Sequence, residues 1–341
     1  MDKFVLPKDR LPELISGMEA KYRVYAPVKD DGLALFKQIK SPSKIDLNYL
    51  NSRVSPKSLL LRQTEILFTL TPGRKGKINP KEISEAKTVI FAIRPCDAKG
   101  LEILDRVFKG DYADPYYLKK REKTVLVGLS CNQPGVNCFC TSFNDGPASA
   151  ENMDILFTDI GEKFYVEVKN NKGKELIENM NNFLIPATEK DGEMKKSAEK
   201  KAIDTITRHM NIDGLVNKLD KIFDNPFWEK IAMKCLGCGI CTYLCPTCHC
   251  FDIQDETTLS NGARLRIWDS CMYPEYTLHA SGHNPRPARE NRLRNRVYHK
   301  YNYYPKNSGV TACTGCGRCI EYCPVNIDII DVIAKAREVN K

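Results

Sequence analysis

The chain has 341 residues, 42% of them hydrophobic, which is enough for two or three domains that each bury an apolar core. The sequence contains no uninterrupted apolar leader and no run of about 18 apolar residues, so we expect a cytoplasmic protein without a signal peptide or a membrane span. The formal net charge of +9 would favour an anionic partner such as nucleic acid, but this sum counts all fifteen cysteines as neutral thiols.

Short β-branched runs alternate with amphipathic stretches over the first half of the chain. This pattern is typical of an α/β domain, which we place at residues 1–170. The predicted elements, in chain order, are a helix over Lys8–Glu19, a strand over Tyr22–Val28, a buried strand over Thr88–Ile93, a helix over Ala98–Phe108, a strand over Thr124–Leu129, and a hairpin of Asp154–Thr158 with Lys163–Val168.

Residues 171–226 are predicted to form a charged linker and a helical connector. The stretch Glu189–Lys201 mixes both signs of charge with little apolar content, which is typical of a solvated loop or an exposed helix face. The stretch Ala202–Phe223 places apolar residues at helical spacing and is followed by a proline at position 226. We therefore expect a helix over the second stretch.

The final third of the chain contains an internal repeat of the motif Cys-x₂-Cys-x₂-Cys-x₃-Cys-Pro. In bacterial ferredoxins this spacing lets three thiolates hold one [4Fe-4S] cluster while the fourth thiolate reaches a second cluster. Zinc ribbons instead pair two Cys-x₂-Cys knuckles and need neither the third cysteine nor the Cys-Pro step. The crossed ligand sets that follow are Cys235, Cys238, Cys241 and Cys323 for one [4Fe-4S] cluster, and Cys313, Cys316, Cys319 and Cys245 for the other.

Crossed ligation would make the two clusters neighbours, as an electron relay requires. Helical patterns flank both motifs, including one over Ile327–Val339, and the motifs lie far apart in sequence. We therefore predict a mainly helical, ferredoxin-like two-cluster domain over residues 227–341, with a long insertion between the motifs. Together with the N-terminal domain, this gives an α+β multidomain protein.

Four further cysteines lie in the N-terminal domain. Cys96 follows the predicted strand that ends at Ile93, and Cys131 follows the strand that ends at Leu129, so parallel pairing would bring both thiols to one edge of a sheet. Cys138 and Cys140 follow on a loop. These four thiols are candidates for a third [4Fe-4S] cluster, and the alternatives are structural thiols or a zinc site.

Cys248, Cys250 and Cys271 have no diagnostic spacing. They could hold another metal centre, with His249 as a fourth ligand, but the simpler interpretation is that they are small packing residues beside a cluster. The basic run from Arg286 to Lys300 lies between the two motifs. It is expected to compensate cluster charge or to bind an acidic redox partner, rather than nucleic acid.

These motifs, taken in order, resemble the family formed by the iron–sulfur β subunits of sulfhydrogenases and the iron–sulfur subunits of anaerobic sulfite reductases. The resemblance runs almost end to end. Besides the ferredoxin repeat, it rests on Phe4-Val5-Leu6-Pro7, Arg94-Pro95-Cys96-Asp97, Cys138-Phe139-Cys140, Trp268-Asp269-Ser270-Cys271 and Gly282-His283-Asn284-Pro285-Arg286.

The resemblance implies an iron–sulfur electron-transfer subunit, with no catalytic residues of its own, in an anaerobic oxidoreductase complex. Electrons would pass between a flavoprotein subunit, which carries FAD and oxidises NADH or NADPH, and a catalytic subunit. That subunit would be a nickel–iron hydrogenase, a sirohaem sulfite reductase or a heterodisulfide reductase type. The resemblance also favours the third cluster.

Two other functional classes remain open from the sequence. The first is a reductase with its own active site in the N-terminal domain, which activity of the isolated chain would favour. The second is a cluster-based redox sensor that binds nucleic acid through the basic run, which salt-dependent DNA binding would favour. The sequence contains no recognisable dinucleotide-binding loop, Walker loop or DNA-reading motif, so the relay ranks first.

Overall fold

The computed structural model describes residues 2–71, 73, 76–83, 86–259 and 261–339, with the backbone alone at 179–181. Within these ranges the strands are β1 Asp2–Pro7, β2 Arg23–Asp30, β3 Leu33–Gln38, β4 Thr64–Thr71, β5 Lys77–Pro80, β6 Thr88–Ile93, β7 Thr124–Leu129, β8 Ile155–Asp159, β9 Lys163–Val168, β10 Ile185–Pro186, β11 Phe251–Thr257 and β12 Gly262–Trp268.

The α-helices of the same ranges are α1 Leu11–Glu19, α2 Pro95–Phe108, α3 Pro115–Glu122, α4 Asn171–Ile177, α5 Glu189–Thr205, α6 Leu215–Asp220, α7 Phe227–Ala232, α8 Ile240–Tyr243, α9 Arg289–Tyr298, α10 Tyr304–Ser308, α11 Arg318–Glu321 and α12 Ile329–Glu338. A π-helical turn, His299–Tyr303, joins α9 to α10. None of the helices in the described ranges is both long and apolar enough to cross a bilayer.

The N-terminal half is built on an eight-stranded mixed sheet with the order β10-β1-β9-β8-β7-β6-β2-β3. The two buried strands that the apolar runs predicted are present as β6 and β7, which pair in parallel near its centre and are buried along nearly their whole length. Helix α2 connects them. Its first residue, Pro95, sits where a helix needs no backbone donor, so the helix begins directly after the strand and carries Cys96 in its first turn.

The predicted hairpin is present as β8 and β9, which pair antiparallel. The charged stretch after Thr188 is helix α5, which begins with a capping box between Thr188 and Asp191 and therefore follows the exposed-helix alternative. The helix predicted over Ala202–Phe223 is wrong over much of its length. Helix α5 ends at Thr205, and α6 begins only after Gly214, whose φ is +63°.

The apolar spacing in that stretch has another cause. Met210, Leu215 and Leu219 are buried in the core that surrounds Trp228 and Tyr298. Their spacing therefore reflects contact with this core and does not require one continuous helix. The helix predicted at Ile327–Val339 is present as α12, and its buried residues join the same core.

A second sheet, with the order β11-β12-β4-β5, was not predicted. Strand β12 from the segment between the cysteine motifs pairs antiparallel with β4 from the N-terminal half. Arg266 of β12, which is buried, forms salt bridges with Glu65 of β4 and with Asp114 at the start of α3. The predicted fold class is confirmed. The division into 1–170, 171–226 and 227–341 stays a prediction, and this sheet joins strands from the first and the third of these ranges.

Candidate functional site

The first motif and the end of the second line one cavity, which we call the outer cavity. Its walls include Cys235, Cys238 and Cys241 together with Cys323. Cys238 is exposed, and the neighbouring Leu236 has 61% of its surface accessible. The structure thus brings together the four residues predicted for one cluster, at a site that reaches the protein surface.

The second motif and the end of the first line another cavity, which we call the inner cavity. Its walls include Cys313, Cys316 and Cys319 together with Cys245. Phe139 of the N-terminal half also lines this cavity. Arg296 and Cys319 lie on the walls of both cavities, so the two sites are adjacent.

Local backbone geometry explains how each motif curls around its cavity. Gly237 and Gly239 in the first motif, and Gly315 and Gly317 in the second, have φ between +63° and +77°, a region that glycine adopts without steric cost. The second glycine of each pair caps a four-residue helix, α8 or α11, that carries the third cysteine. Backbone N–H groups point at thiol sulfurs in both motifs, for example Gly237 N to Cys235 Sγ at 3.4 Å and Ile327 N to Cys323 Sγ at 3.2 Å.

The donor set fits [4Fe-4S] clusters. Within the described ranges, no three His, Cys, Asp or Glu side chains converge on one point as a single metal ion would require, whereas a four-iron cluster takes one thiolate at each corner. Burial raises the pKa of Cys316 and of Cys319 to about 11, so these thiols need the positive charge of bound iron to ionise.

Two buried polar atoms at the inner cavity also lack partners within the described residues. They are Arg296 Nε and Thr314 Oγ1, both on residues that line the inner cavity. A buried donor without an acceptor is costly, and the sulfur atoms of a bound cluster would accept from such donors. The cavity is therefore suited to an acceptor-rich, anionic group.

Three side chains of the basic run point inward rather than to solvent. Arg292, Arg296 and Lys300 are buried, and they recur at every fourth residue along α9 and the π turn. Lys300 Nζ donates to Cys245 Sγ at 3.2 Å, to Thr247 Oγ1 at 2.9 Å and to the Ala312 carbonyl at 3.0 Å. Of the two roles expected for the run, charge compensation at the cysteines agrees with these contacts.

The N-terminal cysteines gather close to the inner cavity. Burial, followed by the neighbouring thiols, raises the pKa of Cys138 to about 11 and that of Cys140 to about 12; the thiol of Cys131 contributes to both shifts. Burial, followed by Asp97 and then Cys316, raises the pKa of Cys96 well above its usual value. The four thiols predicted for a third cluster therefore lie in one region, beside the second motif.

The loop that carries Cys138 and Cys140 packs directly on the second motif. Phe139 N donates to the Gly315 carbonyl at 2.9 Å, and an added Cβ at Gly315 would lie 2.5 Å from Cys140 N. Arg318 of the second motif donates to both oxygens of Asp97 in α2, at 2.9 and 2.8 Å, and this salt bridge is almost fully buried. The contact between the N-terminal half and the second motif is therefore close, and a buried salt bridge contributes to it.

Cys248, Cys250 and Cys271 form two separate contacts. The thiol of Cys248 meets that of Cys245, while Cys250 meets Cys271. The ring of His249 packs against those of His299 and Phe108, with centroid distances of 5.4 and 6.3 Å. This arrangement agrees with packing residues beside the inner cavity, and a metal centre at these cysteines stays a prediction.

Sequence reasoning did not identify the inward direction of Arg296 and Lys300 or the salt bridge between Asp97 and Arg318. The spacing of four residues between Arg292, Arg296 and Lys300 was a visible signal for their shared direction. It indicates that these residues share a helical face, but not which way that face points.

Comparisons with known proteins agree with this site. A family model described as a 4Fe-4S dicluster domain matches residues 234–327, which span both motifs. Over 334 residues the chain is 35% identical to the sulfhydrogenase 2 subunit beta of Pyrococcus furiosus, and the alignment covers 98% of each chain. No solved structure gives a significant match.

Proposed function

The chain belongs to the family of sulfhydrogenase β subunits, and from this premise we propose that it relays electrons between a flavoprotein subunit and a catalytic subunit. It is an iron–sulfur electron-transfer subunit with a domain for two [4Fe-4S] clusters. The proposal adds the cysteine ligands of each cluster, a third cluster and the two partner subunits.

The observation that carries the proposal is the crossed lining of the two cavities. Each cavity is lined by the first three cysteines of one motif and the last cysteine of the other. Neither motif can complete its own site, so the clusters are held side by side with Cys319 and Arg296 between them. Adjacent clusters that share wall residues suit the transfer of electrons from one site to the next.

We assign a third [4Fe-4S] cluster to Cys96, Cys131, Cys138 and Cys140. Its support is the gathering of the four buried thiols and their contact with the second motif, where the backbone of Phe139 meets that of Gly315. The order along the relay would then be N-terminal cluster, inner cluster and outer cluster.

The chain's own residues hold the clusters, exclude water from the inner cavity and keep the spacing fixed. The bound clusters supply one-electron redox chemistry. The cysteines that line the two cavities would hold the clusters, and one-electron chemistry there would make or break no bond in the chain.

The partners are proposed from the family and from exposure at the outer cavity. The relative from Pyrococcus furiosus is named as a subunit of a sulfhydrogenase. We propose a flavoprotein that carries FAD and oxidises NADH or NADPH at one end of the relay, and at the other a nickel–iron hydrogenase or a related catalytic subunit of the sirohaem sulfite reductase or heterodisulfide reductase type. Exposed Cys238 and Leu236 make the outer cavity an accessible end for one of them.

The sensor alternative is weakened, because three cations of the basic run, Arg292, Arg296 and Lys300, are buried and are not available to bind phosphates. Strong salt-dependent DNA binding that changes with cluster oxidation would revive it. Turnover of a substrate by the isolated chain would support the reductase alternative.

The test is anaerobic purification at native expression level, with iron and sulfide analysis and identification of the subunits that co-purify. We expect about twelve irons per chain, from three four-iron clusters, together with a flavoprotein and a catalytic subunit. About eight irons would remove the N-terminal cluster. A chain that purifies alone at native expression level would contradict the proposed role.

A further inference from the structure

Two buried cations, Arg296 and Lys300, line the inner cavity. Arg296 and Lys300 each have 4% of their surface accessible, and neither forms a salt bridge with the described acidic residues. Lys300 Nζ is directed at Cys245 Sγ, and Arg296 Nε has no hydrogen-bond partner within the described part of the chain. Both charges therefore act on the cavity itself.

Thr247 lies beside both Lys300 and Cys245, and its hydrogen bonds decide which groups can donate to the cysteine sulfur. Its hydroxyl donates to the Ala312 carbonyl at 2.8 Å and accepts from Lys300 Nζ at 2.9 Å. A hydroxyl has one proton, so once it is committed to Ala312 it cannot also donate to Cys245, although the two atoms are 3.1 Å apart. Lys300 and the thiol of Cys248 are left as donors to that sulfur, and of these two Lys300 is the one that carries a charge.

The outer cavity has a different environment. It shares Arg296 with the inner cavity but is not lined by Lys300, and Cys238 on its wall is open to water. Among its ligands, Cys235 and Cys323 accept from uncharged backbone N–H groups. Arg318 of the second motif is neutralised by Asp97. Arg289 and Arg292 lie beside the outer cavity, but they donate to the backbone carbonyls of Cys235 and Met272 rather than to a ligand sulfur. Among the lining residues, the inner cavity therefore has two cations, one of them in contact with a ligand sulfur, and the outer cavity has one.

The difference in positive charge between the two cavities affects the reduction potential, because each cluster is itself charged. A [4Fe-4S] cluster with four thiolates carries about −2 and becomes more negative by one unit on reduction. A buried cation stabilises the reduced state more than the oxidised state, and it is screened less than a charge near water. Hydrogen bonds to ligand sulfurs act in the same direction.

We propose that Lys300 holds the reduction potential of the inner cluster above that of the outer cluster, while Arg296 raises both, so that a single electron on this pair resides at the inner site. This rests on the proposed function, because it requires clusters in both cavities. An electron that enters at the outer site passes inward: the outer cluster loses one electron, the inner cluster gains it, and no proton or bond is exchanged. The inner site then acts as a one-electron store.

The test uses the full chain, purified anaerobically with its clusters, and a redox titration followed by electron paramagnetic resonance. Lys300→Met removes the charge and keeps an unbranched side chain. We expect the inner midpoint to move to a more negative potential, with at least a tenfold fall in the reduced-to-oxidised ratio at fixed poise, which corresponds to about 59 mV. The outer midpoint should stay near its original value. Cys238→Ser, which alters the outer ligand set, identifies the outer signal.

The matched control is Lys306→Met, which removes the same charge from an exposed salt bridge with Asp220 two turns further along. It should move neither midpoint. Arg296→Gln should move both midpoints in the same direction, because Arg296 lines both cavities. If Lys300→Met fails to hold clusters, the order of the two wild-type midpoints still decides the proposal. Lys300→Arg keeps the charge and should restore most of the inner midpoint.

The outcomes separate the two proposals. A wild-type chain without [4Fe-4S] signals would overturn the proposed function. A wild-type chain that has both signals, but with the inner midpoint at or below the outer one, would overturn the present inference alone. The inference would also be overturned if Lys300→Met kept both clusters and left the inner midpoint unchanged.

Discussion

The outer and inner cavities are built from two copies of one motif, yet they differ in what surrounds them. The outer cavity has an exposed cysteine and an exposed leucine at its rim, while the inner cavity is covered by Phe139 and flanked by Lys300. The ligand spacing is the same, so the difference arises from the rest of the chain. It teaches that the motif selects the cofactor, whereas the packing around it determines whether a site meets a partner or stays inside the protein.

The comparison between the outer and inner cavities depends first on their crossed sets of cysteine ligands. Cys245→Ala should abolish or cripple the inner cluster although Cys245 belongs to the first motif, because its sulfur lies on the inner cavity. The expected loss is about four irons per chain, with the outer cluster signal retained. Iron analysis and electron paramagnetic resonance measure both. Cys323→Ala is the reciprocal variant and should affect the outer cluster, so losses confined to the mutated motif's own site would refute crossed ligation.

The second prediction concerns the attachment of the N-terminal half to the inner site. Asp97→Asn leaves the Arg318 guanidinium buried without a counter-charge, which typically costs about 3–5 kcal/mol of the free energy of unfolding. Denaturant unfolding measures the loss. The control is Asp255→Asn, which breaks the exposed salt bridge with Arg264 and should cost no more than about 1 kcal/mol. Equal losses in the two variants would show that the buried pair does not hold the two parts together.

Gly315→Ala probes the same contact through sterics. The new methyl group would lie within 2.6 Å of the backbone of Phe139 and Cys140, in a conformation with φ of +63°. The left-handed backbone costs about 1–2 kcal/mol, and the overlap adds about 1–3 kcal/mol more.

Gly309→Ala isolates the first of these costs, because Gly309 has φ of +71° and open space around its Cβ position. The difference in unfolding free energy between the two variants should therefore report the closeness of the contact. If the two alanine variants lost the same stability, the loop and the motif would not be packed as tightly as described.

The smallest effect is expected at the outer rim. Leu236→Ser changes a side chain that is 61% exposed, so the free energy of unfolding should change by no more than about 0.5 kcal/mol and the iron content should stay constant. If this rim meets a partner subunit, electron exchange with that subunit should slow. Stopped-flow kinetics with the purified partner would measure the rate, and an unchanged rate would place the docking surface elsewhere.

Much of the site could be predicted from the sequence because its information is local. The cysteine spacings of the ferredoxin repeat fall within a few residues, and the buried strands β6 and β7 are continuous apolar runs. Their parallel pairing also placed Cys96 and Cys131 at one edge of the sheet.

The unpredicted features depend on pairings between distant residues. Strand β12 alternates apolar and basic residues, and β4 contains an apolar run, but neither pattern identifies the partner of a strand. The same holds for the salt bridge between Asp97 and Arg318. The stretch from Ala202 shows the converse, since residues that pack on one core can imitate helical spacing without one continuous helix.

The second sheet also has a consequence for biosynthesis. Strand β4 pairs with β12, and β12 is synthesised about 190 residues later, so at 5–20 residues per second the nascent strand waits roughly 10–40 s for its neighbour. During that interval one edge of β4 has no native partner, and an open strand edge can pair with other chains. Each cavity is lined by cysteines of both motifs, and the second motif is synthesised after β12. The strand that completes the second sheet is therefore available before either set of cysteines is complete.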